Sequence, residues 1–300
     1  MMRRLIGVAL LCCSSLSAVA QTGPDTLSTR QNALQTVSVP SLDLAAGAAV
    51  MLPGHWFPAP TAANEKAPAL VLMHGCGGIF DAKRRLALRY TELAARLNAM
   101  GVHALVTDSL TPRGEKELCT QKTGSRKLTQ VQRRRDALGA LQWLAAQPEV
   151  DGARVGLLGW SNGGSTVLAA TNLLHREVAA AALQPSLAVA FYPGCETEAA
   201  RGYRPSAPLL MLLGEADDWT PAGPCKALAA AVSVGPVPQW EAYAGAYHGF
   251  DGRDPVRLRN DVPNGVQPGQ GVHVGADPAA RAAAAARLET FIRSHWKLKP

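Results

Sequence analysis

Unbroken apolar runs separated by polar, glycine-rich breaks recur along the chain, the pattern of strands covered on both faces. Runs at 69–73, 188–192 and 209–213 read as such strands, and the more mixed segments 102–107 and 239–243 also read as strands. Between them, apolar residues fall at helical spacing. Leu86, Tyr90, Leu93, Leu97 and Met100 predict a helix over 81–100, and a second runs over 129–146, where Gln147-Pro148 stops it. A last helix opens at Asp277-Pro278, a capping residue followed by a proline suited to the first turn, and ends near Trp296. Weak alternation at 37–39 and 48–52 predicts an antiparallel edge hairpin, while 58–66 and 109–128 read as loops, the latter polar. Strands alternating with helices predict an α/β fold with a mostly parallel sheet and helices on both faces. No repeat, linker or internal boundary interrupts the pattern.

One further apolar run, from Val155, ends in Gly159-Trp160-Ser161-Asn162-Gly163-Gly164, and a small-residue helical segment follows at 166–170. This is the strand–turn–helix setting in which G-x-S-x-G forms a nucleophile elbow. Glycine at 159 and 163 relieves crowding in the turn, and the helix that follows directs N–H groups toward the serine oxygen.

A serine hydroxyl attacks only when a base removes its proton and an acid orients that base. His248 follows the last strand, in Tyr247-His248-Gly249-Phe250, where open α/β sheets place their sites. His55, His103, His175, His273 and His295 lack a comparable strand-end setting. The acid is Asp217 or Asp218, in the loop after 209–213, with Asp217 preferred; the order serine, aspartate, histidine suits this architecture. The oxyanion of an acyl-transfer intermediate needs two N–H donors. Asn162 supplies one, and Cys76, in the glycine-rich loop 74–78 after the first parallel strand, supplies the other. Trp160 and Trp219 are candidate pocket walls, although Trp160 could equally pack beneath the elbow.

Composition narrows the function class. Residues 1–20 read as a signal peptide: Arg3-Arg4, an apolar stretch at 5–11 too short to span a bilayer, and Ala18-Val19-Ala20 as the cleavage site. A lipid anchor at Cys12 or Cys13 and a twin-arginine signal fit less well. The protein is therefore expected to be secreted or periplasmic, with residues 21–300 a single domain and no membrane span. Cleavage takes the formal charge from +7 to +5 by removing Arg3 and Arg4. The basic triplets Lys83-Arg84-Arg85 and Arg133-Arg134-Arg135 lie in predicted helices and read as solvated faces, so no nucleic-acid partner is implied. Of six cysteines, four follow residue 20. An even number in an exported chain suggests disulfides, and four allow three connectivities. Cys76–Cys119 and Cys195–Cys225 are favoured because each would join loops that follow neighbouring strands. No zinc spacing is present.

The segments Met73-His74-Gly75-Cys76-Gly77-Gly78, Thr107-Asp108-Ser109, 159–164, Gly214-Glu215-Ala216-Asp217-Asp218-Trp219-Thr220-Pro221 and 247–250 together resemble the dienelactone hydrolase-like branch of the α/β-hydrolase superfamily. The resemblance implies an α/β-hydrolase fold of the eight-stranded type and a serine-type triad, without metal or other cofactor. It places the acid on Asp217 by the position in G-x-x-D-x-x-x-P. Founding members carry cysteine where this chain has Ser161, which favours ordinary ester hydrolysis over dienelactone. Arg113 and Arg253 are candidates for the family's substrate-carboxylate arginines. Residues 251–275 read as an Ω-type loop bordering the pocket or as a surface connection. The expected function is hydrolysis of a small-molecule carboxylic ester or lactone through an acyl-enzyme. The alternatives are a prolyl-peptidase-type serine peptidase and a catalytically silent binding protein of the same fold.

Overall fold

A computed structural model describes Met2 and residues 34–62 and 65–299. The expected signal peptide therefore lies, apart from Met2, outside the described residues. Contacts group residues 32–300 into one compact unit.

Eight strands form one sheet in the order β1-β2-β4-β3-β5-β6-β7-β8. The edge hairpin comprises β1 (Gln35–Ala45) and β2 (Ala48–Phe57), both longer than the alternation suggested. β2 joins β4 (His103–Thr107) antiparallel. From there the sheet is parallel through β3 (Ala67–Met73), β5 (Val150–Trp160), β6 (Leu187–Phe191), β7 (Leu209–Gly214) and β8 (Gln239–Tyr243).

Alternation along these strands divides the core in two. Ala69, Val71, Met73 and Leu157 face α2 (Gln130–Ala145), α3 (Asn162–Thr171) and α6 (Ala222–Ala230). Leu70, Leu72, Leu158 and Trp160 face α1 (Leu88–Ala99) and α7 (Pro278–Trp296). Two short helices, α4 (Arg176–Ala179) and α5 (Glu196–Arg201), complete the α2 side. The predicted cap at Asp277 operates, and α2 has one that was not predicted. The Thr129 and Gln132 side chains form a capping box on α2, and the Asp277 carboxylate accepts the Ala280 N–H.

Several expectations are corrected. The helix predicted from 81 begins only at Leu88. The Asp81 carboxylate accepts the backbone N–H groups of Lys83 and Arg85 and the Arg85 side chain, and this stabilises a turn in which Arg84 has φ 59°. The basic triplet 83–85 therefore occupies that turn. The triplet 133–135 is not a solvated face either. Arg133 is fully buried, and Arg134 and Arg135 pair with Glu177. Segment 109–128 is not uniformly polar: Leu110, Leu118, Cys119 and Leu128 are buried together against Cys76. Within 251–275, expected as an Ω-type loop or a surface connection, β9 (Arg257–Arg259) and β10 (Val272–Val274) pair as an antiparallel ribbon that the sequence did not predict.

Both favoured disulfides are formed, with Cα separations of 5.0 Å for Cys76–Cys119 and 5.1 Å for Cys195–Cys225. The first ties the loop after β3 to the loop after β4. The second ties the loop after β6 to α6. Among the described residues no helix is long and apolar enough to cross a membrane.

Candidate active site

The turn between β5 and α3 carries the organising serine. Ser161 has φ 53° and ψ −118°, a strained backbone for a residue with a side chain, and its N–H is held by the Phe191 carbonyl at 2.9 Å. Close packing explains the flanking glycines. A Cβ on Gly159 would fall 2.2 Å from the Gly163 carbonyl oxygen, and one on Gly163 would fall 2.1 Å from that of Met73.

Three loops at the carboxyl ends of β5, β7 and β8 converge at this turn. The ring of His248 places Nε2 2.9 Å from the Ser161 hydroxyl oxygen and Nδ1 2.8 Å from Oδ2 of Asp217. All three residues are at least nine-tenths buried. The other oxygen of Asp217 accepts the N–H groups of Trp219 and Thr220, both at 2.9 Å, so the carboxylate is fixed before it meets the imidazole. Asp218 points elsewhere and pairs with His273 of β10 at 2.7 Å. The rings of Tyr192 and Trp219 each lie 4.6 Å from that of His248 and restrict its rotation.

The loop after β3 passes directly over the serine: a Cβ on Gly75 would be 3.6 Å from that of Ser161. Cys76 follows and, with Asn162, borders the space above the hydroxyl. His74 anchors the loop from below. Burial, reinforced by the neighbouring Arg133 charge, holds its imidazole well below the usual pKa, so it is neutral at physiological pH. In that form Nδ1–H donates to the Gly75 carbonyl at 2.6 Å and Nε2 accepts the Ser109 N–H at 3.1 Å.

Two cavities, of about 410 and 460 Å³, meet at Cys76, Ser161 and Trp219. The first extends toward Tyr192, Arg253, Arg257 and Val274, the second toward Arg126, Gln130, Glu196 and Asn264. Trp219 thus borders both. Trp160 is only 2% exposed; it touches the rim of the first cavity, stacks on Phe191 and donates its indole N–H to Asp251. Arg253 borders the first cavity and pairs with Glu92. Arg113 reaches neither cavity. It is bound to Asp43 and Asp136, and this removes it as a ligand for a substrate carboxylate.

Two residues near the site carried no motif. Tyr192, at φ 37°, accepts the Thr220 hydroxyl on its carbonyl, and its phenol donates to Asp251 while accepting from Arg89. Its place at the carboxyl end of the 188–192 run was the available signal. Arg133 lies beneath the serine turn, and its charge in a helix read as surface. Among the described residues no group of three or more His, Cys, Asp or Glu side chains could hold a metal ion.

The parallel sheet, its flanking helices and this strand-end site define an α/β-hydrolase fold. A model of the dienelactone hydrolase family matches residues 57–295, and the chain belongs to that family of hydrolases. No curated protein matches the sequence. Among solved structures, a dienelactone hydrolase-like promiscuous phosphotriesterase from metagenomic libraries is 22% identical, with a TM-score of 0.60 over 87% of this chain and 98% of that one. Thermogutta terrifontis esterase 2, phosphorylated by paraoxon, is 16% identical, with a TM-score of 0.57 over 89% and 96%. A puromycin-hydrolyzing peptidase of Mycobacterium tuberculosis is 15% identical, with a TM-score of 0.57 over 88% of this chain but 40% of its own length. At these identities the likeness is one of fold.

Proposed function

We propose that this protein is an exported serine hydrolase that cleaves a carboxylic ester or lactone. The observation that carries the reading is the continuous contact from Asp217 through His248 to Ser161, at 2.8 and 2.9 Å. His248 takes the serine proton at Nε2 as the hydroxyl oxygen attacks the substrate carbonyl. Asp217 holds Nδ1–H and stabilises the imidazolium that forms. The N–H groups of Cys76 and Asn162 receive the oxyanion of the tetrahedral intermediate. On collapse, His248 returns its proton to the leaving alcohol. A water molecule, deprotonated by the same nitrogen, then releases the acid and regenerates Ser161. No cofactor enters these steps.

The two cavities that meet at Ser161 suit the acyl and alcohol parts of a small ester, with Trp219 between them and Trp160 at one rim. Export is supported by the predicted signal peptide and by the two disulfides, which suit an oxidising compartment. A peptidase activity is the second reading, favoured by the shared fold of the puromycin-hydrolyzing peptidase. That enzyme is more than twice the length matched here.

The test is turnover of acyl esters and lactones of graded size beside a proline-containing peptide amide, with wild type and Ser161→Ala. Ester or lactone hydrolysis abolished by the substitution supports the proposal. Cleavage of the amide alone supports the peptidase, and no turnover of any substrate supports a silent binding protein.

A further inference from the structure

Arg133 is the largest fully buried side chain among the described residues and carries a charge the proposed steps do not use. It stands on the first turn of α2 with its guanidinium between the two stretches of backbone that meet at Ser161. Nη2 donates to the carbonyl oxygen of His74 at 2.7 Å, two residues before Cys76. Nη1 donates to the side-chain oxygen of Asn162. Both acceptors are neutral, and Nε has no partner among the described residues. The buried carboxylate one turn further along, Asp136, is engaged by Arg113 and by the Ser41 hydroxyl.

Burying a cation without a carboxylate in contact is costly. A neutral side chain such as glutamine could bridge a carbonyl and an amide without that cost. The positive charge is useful where negative charge appears during the reaction. We propose that Arg133 is a positioning residue for oxyanion stabilisation. Its fork ties the His74 carbonyl to the Asn162 side chain, and this sets its charge beside the two segments whose N–H groups receive the oxyanion. The inference rests on the serine-hydrolase reading above. Burial pulls the guanidinium down to about 10, still charged at neutral pH.

The test compares wild type with Arg133→Met, Arg133→Lys and Asn162→Ala on a nitrophenyl acetate, with rates of phosphonylation by a fluorophosphonate and melting temperatures. Arg133→Met is expected to lower kcat about 10- to 100-fold with KM little changed, and to slow phosphonylation in parallel. Arg133→Lys, which keeps the charge and one donor, is expected to recover part of the loss. Should Arg133→Met fail to fold, Asn162→Ala keeps the 162 N–H and removes only its grip, and a severalfold fall in kcat is expected. Wild-type kcat in folded Arg133→Met, or in Asn162→Ala where the first does not fold, would overturn the inference. So would a loss confined to KM, or one that follows melting temperature with no recovery by lysine. Those outcomes presuppose an active wild type. A wild type inert to both esters and fluorophosphonate would instead remove the serine-hydrolase reading itself.

Discussion

Asp218 and His273 form an aspartate–histidine pair at 2.7 Å, one residue along from the carboxylate that faces His248. The chain thus contains two such pairs side by side, and only the Asp217 pair reaches a hydroxyl. Asp218 also accepts the backbone N–H of His273 at 2.8 Å, so its pair fastens the β9–β10 ribbon to the acid loop. Asp217→Asn should therefore lower kcat by roughly 10³- to 10⁴-fold through loss of the correct tautomer. Asp218→Asn should keep kcat within several-fold and increase protease sensitivity at 257–274. Steady-state kinetics and limited proteolysis of the two variants check this, and equal kinetic losses would contradict it.

The disulfides differ in what they hold. Cys76–Cys119 fixes the loop that passes over Ser161, whereas Cys195–Cys225 anchors α6 behind Asp217. By loop-closure entropy each stabilises the fold by roughly 2–4 kcal/mol. Removing either pair as a double Cys→Ala variant should lower the denaturant midpoint. Only loss of the 76–119 bond should also cut kcat at a temperature where both variants are folded.

Arg113 lies between Asp43 of β1 and Asp136 of α2, and Asp136 is fully buried. Deleting the cation strands the buried Asp136 carboxylate, while Asp43 keeps Arg135 at 3.2 Å. Arg113→Ala should cost about 3–5 kcal/mol in unfolding free energy. It should leave the KM for acidic and neutral esters in the same ratio as in wild type, because the side chain borders neither cavity.

Folded His74 takes up its proton only well below the usual range, while an unfolded histidine protonates near 6.5. Below about pH 6.5 the unfolded state therefore binds the extra proton, and stability falls as pH falls, at up to about 1.4 kcal/mol per pH unit for this group. Above pH 6.5 its contribution is complete. His55 and His103 are also held low, chiefly by burial, and add slope of the same sign. Denaturant titrations between pH 7.5 and 4.5 should show this decline, and His74→Gln, which can keep one donor and one acceptor, should flatten it.

The parallel strands were legible where both their faces are covered, which leaves uninterrupted apolar runs at β3, β6 and β7 and a shorter one inside β4. The serine turn was legible because its glycines answer a local crowding that any sequence must relieve. Ser161, Asp217 and His248 each follow a parallel strand, so their convergence follows from the sheet. What escaped reading depends on partners distant in sequence. Arg133 looked like one of three surface cations until His74 and Asn162 were found against it. Arg113 looked available for a ligand until Asp43 and Asp136 closed around it. The turn at 81–87 kept helical spacing at Leu86, but the Asp81 carboxylate captures the N–H groups of Lys83 and Arg85. Tyr192 has no motif at all, and its role comes from a left-handed backbone that turns its carbonyl toward Thr220.

The most direct measurement of the central claim is the intact mass and peptide map of folded wild-type protein after reaction with a fluorophosphonate. One adduct per chain is expected, on Ser161, with labelling abolished in Ser161→Ala and strongly slowed in His248→Ala. An unmodified Ser161 in active protein, or an adduct on another residue that accounts for the loss of activity, would contradict it.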